Sequence, residues 1–161
     1  MTAVEFAIKM ELDGMKFYSE LAEKNKGNKL DVVFTLLADE EKKHADIIKK
    51  HAGASDVSMK DNPELSKVGN VFSDIEYGSN PEMKVYISQA DGYREARQKE
   101  KESVELYEKL LLETSDAKEK ELFSYLVGQE KEHLTLMDSL VELVDKLNKT
   151  ASAEFGLTDD Y

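Results

Sequence analysis

The sequence has 161 residues, no cysteine and a formal net charge of −12, from 34 acidic and 22 basic side chains. A chain of this length favours one domain with a sizeable core. The lack of cysteine excludes disulfides, thiolate zinc sites and thiol nucleophiles. The acidic balance argues against a nucleic-acid partner, which would need clustered Lys and Arg, and is compatible with cation binding.

The amino-terminal stretch MTAVEFAIKMELDGM is too polar for a secretory signal. It has charged side chains at Glu5 and Lys9, so it contains no continuous apolar segment. No stretch of the sequence is long and apolar enough to span a bilayer. We therefore expect a cytoplasmic protein with no membrane partner.

Runs of Glu, Lys, Leu and Ala, bounded by turn and capping residues, predict four helices. Their expected bounds are about Ala3–Glu23 (stopped by Gly27 and Asn28), about Lys29–Lys50, from between Pro81 and Gln89 to Glu113, and from a cap at Ser115 or Asp116 to about Asn148. A polar crossover over about residues 51–87 joins the second helix to the third. We expect it to be pinned to the bundle by Val68, Val71, Phe72 and Ile75, with room for a short helix.

This pattern predicts an all-α fold. Residues 1–148 form a four-helix bundle made of two helical hairpins joined by the long crossover, and residues 149–161 form a C-terminal tail. Each helix has an apolar face with steps of three or four residues.

Acidic side chains interrupt all four apolar faces. The interruptions are Glu11, Glu41, Glu100 and Glu130, and on two helices a histidine, His44 or His133, follows one turn later. Burying a carboxylate is unfavourable unless it is paired, and no Lys or Arg lies on these faces. Two divalent cations would offset four carboxylates, which is a physical reason to expect two metal ions.

The interruptions also form an internal repeat. A shift of 89 residues, the separation of Glu11 and Glu100, carries Tyr18 onto Tyr107 and His44 onto His133. Two hairpins related by a pseudo-twofold axis would bring equivalent side chains to one centre. The third histidine, His51, lies outside the repeat and is interpreted as a surface residue.

Four stretches carry a resemblance to a known family: AIKMELDGMKFYSELAE, LADEEKKHADII, EKESVELYEKLL and LVGQEKEHLTLM. They resemble the helices of the rubrerythrin branch of the ferritin-like superfamily, over roughly residues 1–50 and 88–145. The resemblance implies a ferritin-like bundle that holds two iron ions, for which manganese or zinc are possible substitutes.

The resemblance also implies roles for individual residues. Glu11 and Glu100 would be terminal carboxylates, one on each metal, and Glu41 and Glu130 would bridge the two metals. His44 and His133 would each bind one metal. We expect Tyr18 and Tyr107 to donate hydrogen bonds that orient the glutamates. The alternative is that they are core tyrosines that use their hydroxyls elsewhere.

One departure from the family concerns peroxide chemistry. Rubrerythrins that reduce peroxide well usually carry an additional glutamate on the third helix, one turn from the terminal ligand. The corresponding positions here are Ala96, Arg97, Ser103 and Val104. The set of four Glu and two His is therefore closer to the minimal ferritin-like pattern.

The resemblance implies a redox enzyme that reduces hydrogen peroxide or dioxygen in oxidative-stress defence. Its electrons would come from a separate donor, rubredoxin-like or another reductase, because these residues include no cysteine for a rubredoxin iron site. A homodimer is expected from the resemblance alone. Two alternatives stay open: a ferroxidase or iron-handling protein like ferritin, and a protein that binds metal without turnover.

Overall fold

The computed structural model describes residues 2–53, Leu65, Phe72 and residues 81–155. Its helices are α1 (Ala3–Lys24), α2 (Leu30–Ala52), α3 (Pro81–Ser88), α4 (Ala90–Glu113) and α5 (Ala117–Phe155). No strand occurs in these residues, and the predicted all-α bundle is confirmed. Among the helices described, none is both long and apolar enough to cross a membrane.

Capping side chains fix where the helices begin. Thr2 and Glu5 form a capping box at the start of α1, in which the Thr2 hydroxyl accepts from the Glu5 amide at 3.1 Å. Before α5, the Asp116 carboxylate accepts from the Glu119 amide at 2.9 Å, in agreement with one of the two predicted caps. Gly27, a predicted stop signal, has a positive φ of 89° in the turn that follows α1.

Two helix bounds differ from the sequence expectation. The third predicted helix is divided at Gln89 into the short α3 and the long α4. Helix α5 continues to Phe155 and does not end near Asn148. Residues 149–155 contain no glycine or proline that would stop it, and Gly156 follows directly.

The crossover prediction is only partly within the described residues. Phe72 packs against the core, as expected, and Leu65 is buried there as well. Val68, Val71 and Ile75 lie outside the described residues, as do residues 156–161 of the predicted tail.

The bundle consists of two hairpins, because α1 packs mainly on α2 and α4 mainly on α5. Their buried apolar side chains form two clusters. The larger contains Tyr18, Phe34, Leu37, Tyr93 and Met137 among others. The smaller contains Ala7, Ile48, Tyr107, Phe123 and Leu126 among others. On every long helix the chain passes from one cluster to the other through a polar layer, which positions the site.

Candidate metal centre

The polar layer contains all six residues that the sequence singled out as ligands. Helix α1 contributes Glu11, α2 contributes Glu41 and His44, α4 contributes Glu100, and α5 contributes Glu130 and His133. None of the six is more than 4% exposed. Glu and His three residues apart share a helix face, so α2 and α5 each present a carboxylate and an imidazole together.

The imidazoles contact carboxylates of the opposite hairpin. His44 Nδ1 lies 3.2 Å from Glu130 Oε1, and His133 Nδ1 lies 2.9 Å from Glu41 Oε1. The two rings stack with centroids 5.5 Å apart and planes inclined by 14°. The repeat seen in the sequence is therefore a pseudo-twofold arrangement in space.

The two tyrosines also reach across between hairpins. The Tyr107 hydroxyl on α4 donates to Glu11 Oε1 on α1 at 2.6 Å. The Tyr18 hydroxyl on α1 donates to Glu100 Oε1 on α4. Each tyrosine thus fixes the carboxylate of the other hairpin, not the one two turns away on its own helix.

Burial and neighbouring charges favour the protonated form of two of the carboxyl groups. Burial, together with the charge of Glu11, raises the pKa of Glu41 well above its ordinary value of 4.5. Burial and the charges of Glu11 and Glu100 raise the pKa of Glu130 to about 8. Without metal, both side chains therefore hold their protons to a higher pH than an ordinary glutamate does.

The other two carboxyl groups form ion pairs with the histidines. Burial opposes ionisation of Glu11 and Glu100, but the charges of His44 and His133 and local hydrogen bonds hold their pKa values below the ordinary range. Burial likewise opposes protonation of the imidazoles, yet Glu11 raises the pKa of His44 to about 10 and Glu100 raises that of His133 well above 6.5. In the metal-free centre, each histidine is therefore paired with a carboxylate that favours its protonated form. The apparent excess of four carboxylate charges in the sequence is reduced by these pairs and by the raised pKa values of Glu41 and Glu130.

Sequence reasoning missed two buried polar residues beside the centre, Glu40 and Gln129, which are 2% and 3% exposed. Glu40 Oε2 lies 3.7 Å and Gln129 Oε1 lies 3.5 Å from His44 Nε2. Each residue precedes a histidine by four positions and occupies the same place in the repeat. The four-residue spacing before each histidine could have identified them from the sequence. They were missed because they lie beside the apolar face and not on it.

The donor groups fit a pair of cations. Two sets of four residues place one ligand atom each within 4.8 Å of one another: Glu11, Glu41, His44 and Glu130, and Glu41, Glu100, Glu130 and His133. The sets share Glu41 and Glu130. Within the described part of the chain, the buried Oε2 atoms of Glu11, Glu100 and Glu130 have no hydrogen-bond partner. Oxygen-rich ligation with two imidazoles suits iron or manganese.

Comparison with known proteins agrees with this arrangement. The family model described as Rubrerythrin matches residues 3–141. Searches of curated proteins and of solved structures find no significant match.

Proposed function

Because the chain belongs to the rubrerythrin family, we propose that its centre binds two iron ions and reduces hydrogen peroxide or dioxygen. The observation that carries the proposal is the pair of four-residue sets that share Glu41 and Glu130. A bridging carboxylate must lie within reach of both metals, and these are the only two residues common to both four-residue sets. Manganese is a possible substitute, and zinc can replace either metal because it binds more tightly.

In this proposal the remaining ligands divide between the two metals. Glu11 and His44 would hold one ion, and Glu100 and His133 would hold the other. The hydrogen bond from Tyr107 occupies Glu11 Oε1 and leaves Oε2 available to a cation. Tyr18 does the same for Glu100. The tyrosines would thus select which carboxylate oxygen faces the metal.

The proposed reaction consumes one hydrogen peroxide, two protons and two electrons, and it yields two molecules of water. The bound iron pair would supply the two electrons and Lewis acidity. In this proposal a separate donor, rubredoxin-like or another reductase, would replace the electrons. Such a reaction would serve in oxidative-stress defence. The expected homodimer stays a prediction.

Metal content tests the ligand assignment. Protein expressed with iron should contain two ions per chain by elemental analysis. The His133→Ala variant should lose at least one of them, because one metal would lose its only imidazole. His51→Ala is the matched control and should retain both, since His51 lies outside the centre. Retention of two ions by His133→Ala would show that the ligands are wrongly assigned.

The oxidant is tested by stopped-flow mixing of the di-ferrous protein with peroxide or with dioxygen. The expected result is that at least one of the two oxidants oxidises the di-ferrous protein faster than free ferrous iron, with water as product and with the iron retained. Faster oxidation by dioxygen, with release of ferric iron, would instead favour the ferroxidase alternative. If neither oxidant reacts faster than with free ferrous iron, the protein binds metal without turnover.

A further inference from the structure

A cavity of about 280 Å³ leads from the protein surface to the centre between α1 and α4. At its outer end lie the half-exposed side chain of Phe6 and the exposed ion pair of Lys9 and Asp13. At its inner end lie the buried carboxylates of Glu41 and Glu100. A single water needs only about 10–15 Å³ of such space, so the cavity has room for several small molecules.

Of the six predicted ligands, Glu41 and Glu100 line the cavity and the other four do not. Glu41 belongs to both four-residue sets, whereas Glu100 belongs only to the set that includes His133. A molecule that enters here therefore arrives beside the shared Glu41 and beside Glu100.

Two small residues keep the inner end of the cavity open. A Cβ atom at Gly14 would lie 3.4 Å from Glu41 Oε2, so any larger side chain there would project into the space beside that carboxylate. Ser103 lies opposite on α4, where its hydroxyl donates to the Lys99 carbonyl at 3.0 Å. Ser103 is one of the four positions one turn from Glu100 at which the sequence has no additional glutamate.

The lining suits a small uncharged molecule. Phe6, Met10 and Phe17 provide apolar surface. The charged lining groups outside the centre are two lysines and two acids, Lys9 and Lys99 with Asp13 and Glu102, so they give no net attraction for ions of either sign. Lys99 is further held over the Phe17 ring at 5.2 Å from its centroid.

We propose that this cavity is the route by which a small uncharged oxidant reaches the Glu100 side of the centre, and that the absence of a side chain at Gly14 keeps the route open. The inference rests on the proposed function for the identity of the oxidant. The existence of the route does not depend on the proposed function and can be tested in the metal-free protein.

The chain has no cysteine, so Ser103→Cys places a single thiol in the cavity. Its modification in full-length, metal-free protein is followed by mass spectrometry with neutral methyl methanethiosulfonate, and with cationic and anionic methanethiosulfonates. Leu112→Cys, at a position that is 87% exposed, gives the intrinsic rate of each reagent. For each reagent, the labelling rate of Ser103→Cys is divided by that of Leu112→Cys. This ratio should be about tenfold higher for the neutral reagent than for either charged one, because desolvation beside apolar side chains is unfavourable for a charged molecule.

Gly14→Leu, added to Ser103→Cys, should slow the neutral reagent about tenfold by filling the inner end of the cavity. Gly128→Leu is the matched control, because Gly128 is also helical and nothing lies within 4 Å of its Cβ position. It should leave the labelling rate unchanged. If Gly14→Leu does not fold, Gly14→Ala adds a single methyl group at ordinary contact distance and should give a smaller decrease.

Equal labelling rates in the Gly14 and Gly128 variants would overturn the route. Equal relative rates for neutral and charged reagents would overturn the selection for uncharged molecules. Labelling is measured without metal, so its outcome is independent of the iron content. If the Gly14 variant is labelled at the control rate but the protein binds two iron ions, this inference alone is contradicted. If the Gly14 variant is labelled more slowly but the protein binds no iron, the proposed function is contradicted.

Discussion

The hydroxyl of Tyr107 on α4 donates a hydrogen bond to the carboxylate of Glu11 on α1. Burial first, and then the charge of Glu11, raises the pKa of Tyr107 well above 10, so the hydroxyl keeps its proton and remains a donor. The same holds for Tyr18, where the nearest charge is that of Glu100. Each bond gives one oxygen of a buried carboxylate a hydrogen-bond donor.

Tyr107→Phe should lower the free energy of unfolding of the metal-free protein by about 1–3 kcal/mol, because it leaves buried Glu11 Oε1 without its donor while preserving the ring. Urea unfolding followed by circular dichroism measures the change. Tyr18→Phe should give a loss of similar size, as the repeat implies. A loss below about 0.5 kcal/mol, the size of an ordinary surface substitution, would contradict the structural role of the bond.

Helical periodicity and the internal repeat were sufficient to predict that Glu11, Glu41 and His44 lie together with their three repeat partners. They could not show which hairpin each tyrosine would contact, because that depends on how the hairpins face each other. They also could not show that the pKa values of Glu41 and Glu130 are raised. Those shifts result from burial and from the mutual distances of the charges, which a sequence does not contain.

At the scale of whole helices, Asn25 connects the end of α1 to the beginning of α4. It is fully buried, and its amide donates to the Leu21 carbonyl at 2.7 Å and to Gln89 Oε1 at 2.8 Å. Its own oxygen accepts from the buried Tyr93 hydroxyl at 3.2 Å. This one side chain therefore links the two hairpins at the end of the bundle that holds the larger apolar cluster.

Asn25→Ala should destabilise the protein by about 1–3 kcal/mol, because it removes several buried hydrogen bonds and leaves Tyr93 without its acceptor. Thermal unfolding should shift by about 2–4 °C for each kcal/mol lost. Iron content should stay at two ions per chain, since Asn25 contacts none of the six predicted ligands. Ser19→Ala, on the exposed face of α1, is the control and should leave the unfolding temperature unchanged.

The helix ends show where sequence signals suffice and where they do not. Helix α1 ends at Lys24, within one residue of its predicted end near Glu23, and the positive φ of Gly27 lies in the turn that follows. The break at Gln89 has no glycine or proline of its own. Its amide oxygen accepts from Asn25, so this boundary depends on a tertiary contact and not on local propensity.

At the scale of the whole molecule, the centre links stability to pH in an unusual direction. Glu130 has a pKa of about 8 in the folded protein and an ordinary value of 4.5. Between these values the folded state binds more protons than the unfolded state, so the free energy of unfolding falls as the pH rises. Glu41 and both histidines, whose pKa values are also raised, act in the same direction.

The metal-free protein should therefore unfold at a lower temperature at pH 8 than at pH 5, as measured by calorimetry. Iron-loaded protein should not show this decrease, because bound cations replace the protons. The Glu130→Gln variant tests whether the buried centre, and not the charged groups of the protein surface, causes the decrease. It removes one of the responsible groups and should reduce the slope between pH 5 and pH 8. A metal-free protein that becomes more stable over this interval would contradict the assigned protonation states.

The contacts that cross between the hairpins have a consequence for the order of events during synthesis. His44 and Glu130 are 86 residues apart in the chain, and Tyr107 and Glu11 are 96 apart. Contacts between residues so distant form after local helical hairpins, because a long loop must first be closed. When it leaves the ribosome, the α1–α2 hairpin holds three residues of one four-residue set (Glu11, Glu41 and His44) and only Glu41 of the other, and both sets need Glu130 of α5. A nascent chain therefore offers iron no complete site until α5 has been made, so iron capture would come late in the formation of the protein.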